Sequence, residues 1–270
     1  MHRLLVTLIF SIIASFPLSA APGLQGTASQ GGMMWGTVDA DTKIWLDNQP
    51  VPVHASGVFV FGFGRDAAPA AALRFEYADG SEEMVDLQIE DREFNIERVN
   101  GLPPKTVTPP PEWRERRKIE TGRVRSARSV QMPETLWLDG FSKPAEGRFS
   151  GFYGSQRILN GEPRSPHYGL DIAAPTGTPV FAPAGGVVRL SAPDFLLEGG
   201  IIIIDHGLGI TSTLFHLDSV TVDEGQRVQR GDEIGTIGAT GRANGPHVDW
   251  RVNWQSVRLD PLLLLEEDRN

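Results

Sequence analysis

The sequence contains no cysteine. That excludes a disulfide framework, a thiol nucleophile, a thiolate metal site and a lipid-modified N-terminal cysteine. It also lacks any excess of positive charge: 25 lysines and arginines stand against 34 aspartates and glutamates, a formal net charge of -9. A polyanion such as nucleic acid is therefore not the expected main partner, because such binding needs a basic face. No hydrophobic run beyond the N-terminus is long enough to span a membrane. The longest candidate, Ile201–Ile204, is short and is followed at once by Asp205 and His206. Helical periodicity is almost missing outside one charged stretch. What remains is ordinary globular composition, 40% hydrophobic and 22% charged over 270 residues, enough for one large domain or two modest ones.

The N-terminus carries Arg3, then an apolar stretch from Leu4 to Phe16, then Pro17 and the small residues Ser19, Ala20 and Ala21. This reads as an export signal over residues 1–20, cleaved after Ala20, and so predicts no stable membrane span after signal removal. An uncleaved anchor is the alternative, but the apolar run is short for one. Over residues 21–100 short β-like runs alternate with turn residues. Leu73 to Tyr77 alternates as a half-buried strand would, and Val58 to Phe61 is continuously apolar, as a fully buried strand would be. A small β-sandwich-like domain is expected there, with His54 structural or solvated. Residues 101–137 follow as a stiff proline-rich linker and a basic helix around Arg114 to Arg128. Pro111 suits the first turn of that helix, which is expected to be a solvated connector. A surface for anionic polymer is the functional alternative for it. Residues 138–270 are glycine-dense with regularly spaced short strands, so the fold class is all-β throughout.

Chemistry concentrates in the last region, which holds four of the six histidines. In His167-Tyr168-Gly169-Leu170-Asp171, Gly169 lets the backbone curl so that an imidazole and a carboxylate can converge, and both are good zinc ligands. In His247-Val248-Asp249, a strand opened by Gly245-Pro246 would aim residues 247 and 249 to one side. His216 ends the run Ile210 to Phe215, and shares a face with Leu214 only if that strand is regular. Each pattern alone is weak, since solvated His-Asp pairs are common.

Taken together and in order, SPHYGLDIAAPTGTPVFAPAGGVV, IIIIDHGLGITSTLFHL, VQRGDEIGTIGATG and GPHVDW resemble the M23 family of zinc metallopeptidases, the lysostaphin and LytM type. The resemblance covers about residues 149–261. It implies a LytM-like β-sandwich peptidase domain acting on the peptide stems or cross-links of peptidoglycan. It implies His167 and Asp171 as zinc ligands, one ion per chain, and His216 and His247 as catalytic residues. His206 has no role in the family pattern and is expected to be structural. The departure is Asp249, which stands where the family has its third ligand, a histidine. Direct ligation by Asp249 is the leading expectation, because carboxylate oxygen is an accepted zinc ligand. A harder ion such as manganese is one alternative. A metal-free regulator that binds and activates a cell-wall amidase, or a division partner, is the other. Family and signal together imply a periplasmic or secreted protein.

Overall fold

The computed structural model describes residues 23–99, 111–159 and 161–265. The signal segment and the proline-rich part of the linker lie outside the described residues. Twenty strands and one α-helix, α1 (Arg114–Ser129), are described, so the all-β expectation holds.

The N-terminal β region consists of two small sheets. One joins Gln25–Gly26, Met33–Thr37 and Val58–Gly62; the other orders Gln49–Val51, Lys43–Leu46, Ala70–Glu76 and Glu82–Gln88. Strand alternation puts Leu73 and Phe75 inward, fully buried, while Val58–Gly62 is buried along its whole length. Phe59 packs edge-on to Phe75 at 5.9 Å between ring centroids and closes the space between the sheets.

The C-terminal region is one ten-stranded, folded antiparallel sheet. Its main path runs Arg227–Val228, Gly186–Phe195, Gly199–Gly207, Ile210–Val220, His247–Trp254, Leu170–Ala173 and Arg148–Gly151. Ile202, Ile204, Leu214, Val248, Trp250 and Val252 share its inner core. That core is continuous with Phe59 and Phe61 of the N-terminal region. The two regions are also tied by Arg92 Nη2 donating to Asp260 Oδ2 at 2.8 Å, and by Ile96–Val99 adding in parallel to Gln156–Leu159.

The four consecutive isoleucines are explained by what lies on each side. Ile202 and Ile204 face the inner core, while Ile201 and Ile203 join Phe215, Leu190 and Ala127 in a second cluster beneath α1. Helix α1 is exposed over most of its surface, as its charge leads one to expect, but one face packs on the sheet. Its Val124 and Ala127 rest on the sheet, and burying Ile201 and Ile203 contributes about 1.5–3 kcal/mol each. Some of its arginines are ion-paired as well: Arg117 reaches Glu198 at 2.5 Å, and Arg116 holds Glu120 at 2.9 Å.

His206 is fully buried behind the sheet. Trp250 Nε1 donates to Ser212 Oγ at 3.1 Å, and Ser212 meets His206 Nε2 at 2.8 Å. On the other side His206 Nδ1 sits 2.7 Å from the Gly185 carbonyl. A carbonyl only accepts, so Nδ1 carries the proton and Nε2 accepts from the serine. The structural role expected for His206 is what the geometry shows. Burial pushes its pKa down to about 4. The unfolded chain takes up this proton near pH 6.5 and the folded one near 4, so the unfolded state binds more protons between those values. The stability this group contributes is complete above pH 6.5 and is lost as pH falls to 4, about 3 kcal/mol in all. Urea unfolding of wild type and His206→Asn at pH 7 and pH 4 should show wild type losing the larger share. Equal losses would refute the assignment.

Candidate metal centre

The site lies on the face of the sheet away from the inner core, on the same side as α1. His247, Asp249 and Arg251 alternate along one strand, with Val248, Trp250 and Val252 turned to the core. Asp171 on the neighbouring strand pairs directly with Asp249. Two like charges opposite each other on a ladder repel, and this rung is stable only with positive charge beside it. His167, four residues before Asp171, brings Nε2 to 3.1 Å from Asp171 Oδ1. One ligand atom from each of His167, Asp171 and Asp249 lies within 4.8 Å of the others. His167 Nε2 and Asp171 Oδ1 are also buried with no hydrogen-bond partner. With Nε2 unprotonated, both atoms offer only lone pairs, and two buried lone-pair atoms facing one another suit a cation between them. The residues present therefore fit a divalent ion.

Two glycines make the room. A Cβ at Gly169 would overlap Asp249 Oδ1, and one at Gly151 would overlap Asp171 Oδ2. Gly169 is thus needed for space beside a carboxylate. It is not among the glycines with positive φ, so the curl expected of it is not its role.

His216 reaches the site through an irregularity. The Ile210–Val220 strand pairs in register up to Leu214↔Ile202, then resumes at Leu217↔Gly200, so Phe215 and His216 together oppose Ile201. His216 has φ +65, a left-handed conformation that non-glycine residues adopt at a cost of about 1–2 kcal/mol. The bulge turns His216 onto the site face, where its ring centroid lies 4.8 Å from that of His247. In a regular strand it would have pointed into the core beside Leu214. His216 Nδ1 is 2.9 Å from the Thr240 carbonyl and His247 Nδ1 is 2.8 Å from the Gly245 carbonyl. Both Nδ1 atoms must donate there, which leaves each Nε2 unprotonated in the neutral ring. Burial foremost holds the His216 pKa below its ordinary value.

Sequence reasoning missed Arg251. Its Nε donates to both Asp249 oxygens, at 3.1 and 3.0 Å, and its Nη2 to Oδ2 at 2.6 Å. Burial works against the Asp249 charge, but the Arg251 guanidinium, with His167 and His216, holds its carboxyl below the usual range. The signal was present in the alternation His247, Asp249, Arg251. The carbonyls of Thr240 and Gly245 left no such trace. For His167, burial also disfavours the charge, yet the Asp171 and Asp249 carboxylates raise its pKa.

Residues 165–261 match the family model for Peptidase family M23. The chain is similar to the peptidoglycan DD-endopeptidase ShyA of Vibrio cholerae, at 39% identity over 88 residues, 33% of this chain and 20% of the relative. It is similar to the cell division protein DipM of Caulobacter vibrioides, at 32% identity over 103 residues, 36% of this chain and 17% of that one. This chain thus spans about a fifth of the length of these relatives. A crystal structure of a Pseudomonas aeruginosa protein assigned to peptidase M23 superposes with a TM-score of 0.66 at 28% identity. It covers 88% of this chain and 95% of its own, so the likeness includes the N-terminal β region. The match to Peptidase family M23 thus lies over residues 165–261, the stretch that holds every residue gathered at the site.

Proposed function

We propose that the protein is a metal-dependent endopeptidase that hydrolyses peptide stems or cross-links of peptidoglycan in the cell envelope, exported to the periplasm or beyond. The observation that carries this reading is the pair of orphaned atoms, His167 Nε2 and Asp171 Oδ1, facing Asp249 beside two histidines with free Nε2 atoms. His167, Asp171 and Asp249 hold the ion, zinc in the first instance. A divalent ion bound there polarises the scissile carbonyl and acidifies a water toward neutrality. His216 and His247 do the proton work. One accepts the proton of the attacking water at Nε2, and the other protonates the leaving amine or stabilises the oxyanion. Their Nδ1 hydrogen bonds fix both rings in the tautomer this requires.

Arg251 changes the charge balance at Asp249. His167, Asp171, Asp249 and Arg251 carry a net charge of about -1, the same as the two histidines and one aspartate of the family pattern. The carboxylate with its arginine thus substitutes electrostatically for the missing histidine. The test is metal content and muropeptide release by the mature protein. About one ion per chain and chelator-sensitive release are expected; metal-free protein that leaves sacculi intact refutes the reading. The same clamp favours a second reading, since Asp249 already has a cationic partner: a catalytically inactive regulator of a cell-wall amidase. In that case His167→Ala and Asp171→Ala leave the cellular phenotype unchanged.

A further inference from the structure

Beyond the metal centre the site face continues as a row of cations and hydroxyls. Two residues along the sheet from the Phe215↔Asp249 rung lies Thr213↔Arg251, and two further lies Thr211↔Asn253, with Arg258 paired to Asn253 on the outer strand. Paired residues face the same side, so Thr211, Thr213, Arg251, Asn253 and Arg258 line one trough. Helix α1 adds a third basic residue from above the sheet: Arg128 Nη2 donates to Thr213 Oγ1 at 2.8 Å.

The carboxylates near this trough are already engaged. Asp249 is held by Arg251, Glu198 by Arg117 at 2.5 and 3.1 Å, and Glu120 by Arg116 and Arg117. Among the described residues Arg128 and Arg258 have no carboxylate partner. Arg258 lies over the Tyr168 ring at 4.2 Å instead. Arg128 Nε and Thr211 Oγ1 are buried without a hydrogen-bond partner. Burial and the neighbouring charges of Arg251 and Arg258 push the Arg128 pKa down to about 10. Two unpaired guanidinium groups beside a third are costly unless an anion joins them. Thr211, Thr213 and Asn253 form a buried floor, and a ligand reaches the arginines from the Arg258 end, where Arg258 is exposed and Arg251 keeps 29% of its side chain accessible.

We propose that Arg128 and Arg258 form a carboxylate-binding subsite that takes a free carboxylate of the substrate peptide. This rests on the peptidase reading and names what that substrate must carry. The Arg128 rung is two residues from the metal rung, roughly 7 Å, so the carboxylate belongs to a residue one or two positions from the scissile bond. The proline-following helix would then be part of the substrate site rather than a spacer.

The test uses two synthetic cross-linked stem peptides that differ only in one such carboxylate, free or amidated. Binding is measured by calorimetry and cleavage by chromatography, with metal content recorded for every protein. Wild type should prefer the free acid by roughly 10- to 100-fold in binding. Arg128→Gln and Arg258→Gln should each reduce that preference through KM, with metal content unchanged, and Arg128→Lys should retain part of it. Equal binding of both peptides by wild type, with cleavage intact, overturns the subsite and leaves the peptidase reading standing. Preference without cleavage supports the subsite and refutes the peptidase reading. Equal loss for both peptides in both variants, or binding of neither peptide by wild type, overturns the subsite.

Discussion

His216→Ala is expected to lower the turnover of peptidoglycan cleavage by about 10²–10⁴-fold while leaving metal content at its wild-type level. The two readouts separate because His216 is not among the residues gathered for the ion, His167, Asp171 and Asp249. It stands instead against His247, with Nδ1 fixed by the Thr240 carbonyl and Nε2 free for proton transfer. The bulge adds a second, independent expectation. His216 holds φ +65, which alanine tolerates no better than histidine but glycine adopts without penalty. His216→Gly should therefore be about 1 kcal/mol more stable than His216→Ala and equally inactive. A glycine variant that melts with the alanine variant would show that the strand relaxes on substitution. An alanine variant that cleaves normally would remove His216 from the chemistry. Stability lost at a strained position in exchange for a correctly aimed side chain is the usual arrangement at catalytic bulges.

Arg251→Ala is expected to destabilise the metal-free protein by about 3 kcal/mol and at the same time to tighten its hold on metal. Asp249 is 3% exposed and depends on Arg251 for three hydrogen bonds and its neutralising charge. Without the guanidinium, two carboxylates face each other across the Asp171↔Asp249 rung with only the imidazoles of His167, His216 and His247 near them. The folded state then carries uncompensated negative charge, which a divalent ion relieves better than before. Thermal melting with and without metal, and competitive chelator titration, measure the two effects. The loss corresponds to roughly 6–12 °C for a chain of this size, and it should shrink when metal is added. Unchanged melting of the metal-free protein, or weaker metal binding, would mean that Arg251 does not compensate Asp249. The reciprocal change follows the same logic. Asp249→His alone leaves Arg251 facing imidazoles and should bind metal poorly, whereas Asp249→His with Arg251→Gly restores both space and charge.

The site was legible in the sequence to the extent that it is built from strands. Val248 and Trp250 are apolar and buried, so His247 and Asp249 had to share the other face, and the same alternation extends to Arg251. The absence of cysteine is likewise a property of the chain alone. His216 was legible as a candidate but not in its geometry, because a one-residue bulge reverses the side a strand residue faces, and bulges have no reliable residue signature. Gly169 was legible as a glycine that matters but not for its reason, since the Asp249 oxygen it makes room for is far away in sequence.

The helix shows the boundary most clearly. Its charge predicts solvation, and Arg114 to Arg128 reads as a connector. Only the folded chain brings Glu198 to Arg117, Thr213 to Arg128 and an isoleucine face to Ala127. By itself the sequence determined an all-β chain whose ordered motifs name the residues of the candidate metal centre. The tertiary structure decided which charges neutralise one another there. Electrostatic partnership depends on distances of a few ångströms, whether the partners are two positions apart, as Asp249 and Arg251 are, or 81, as Arg117 and Glu198 are, and spacing in the sequence does not encode which pairs meet.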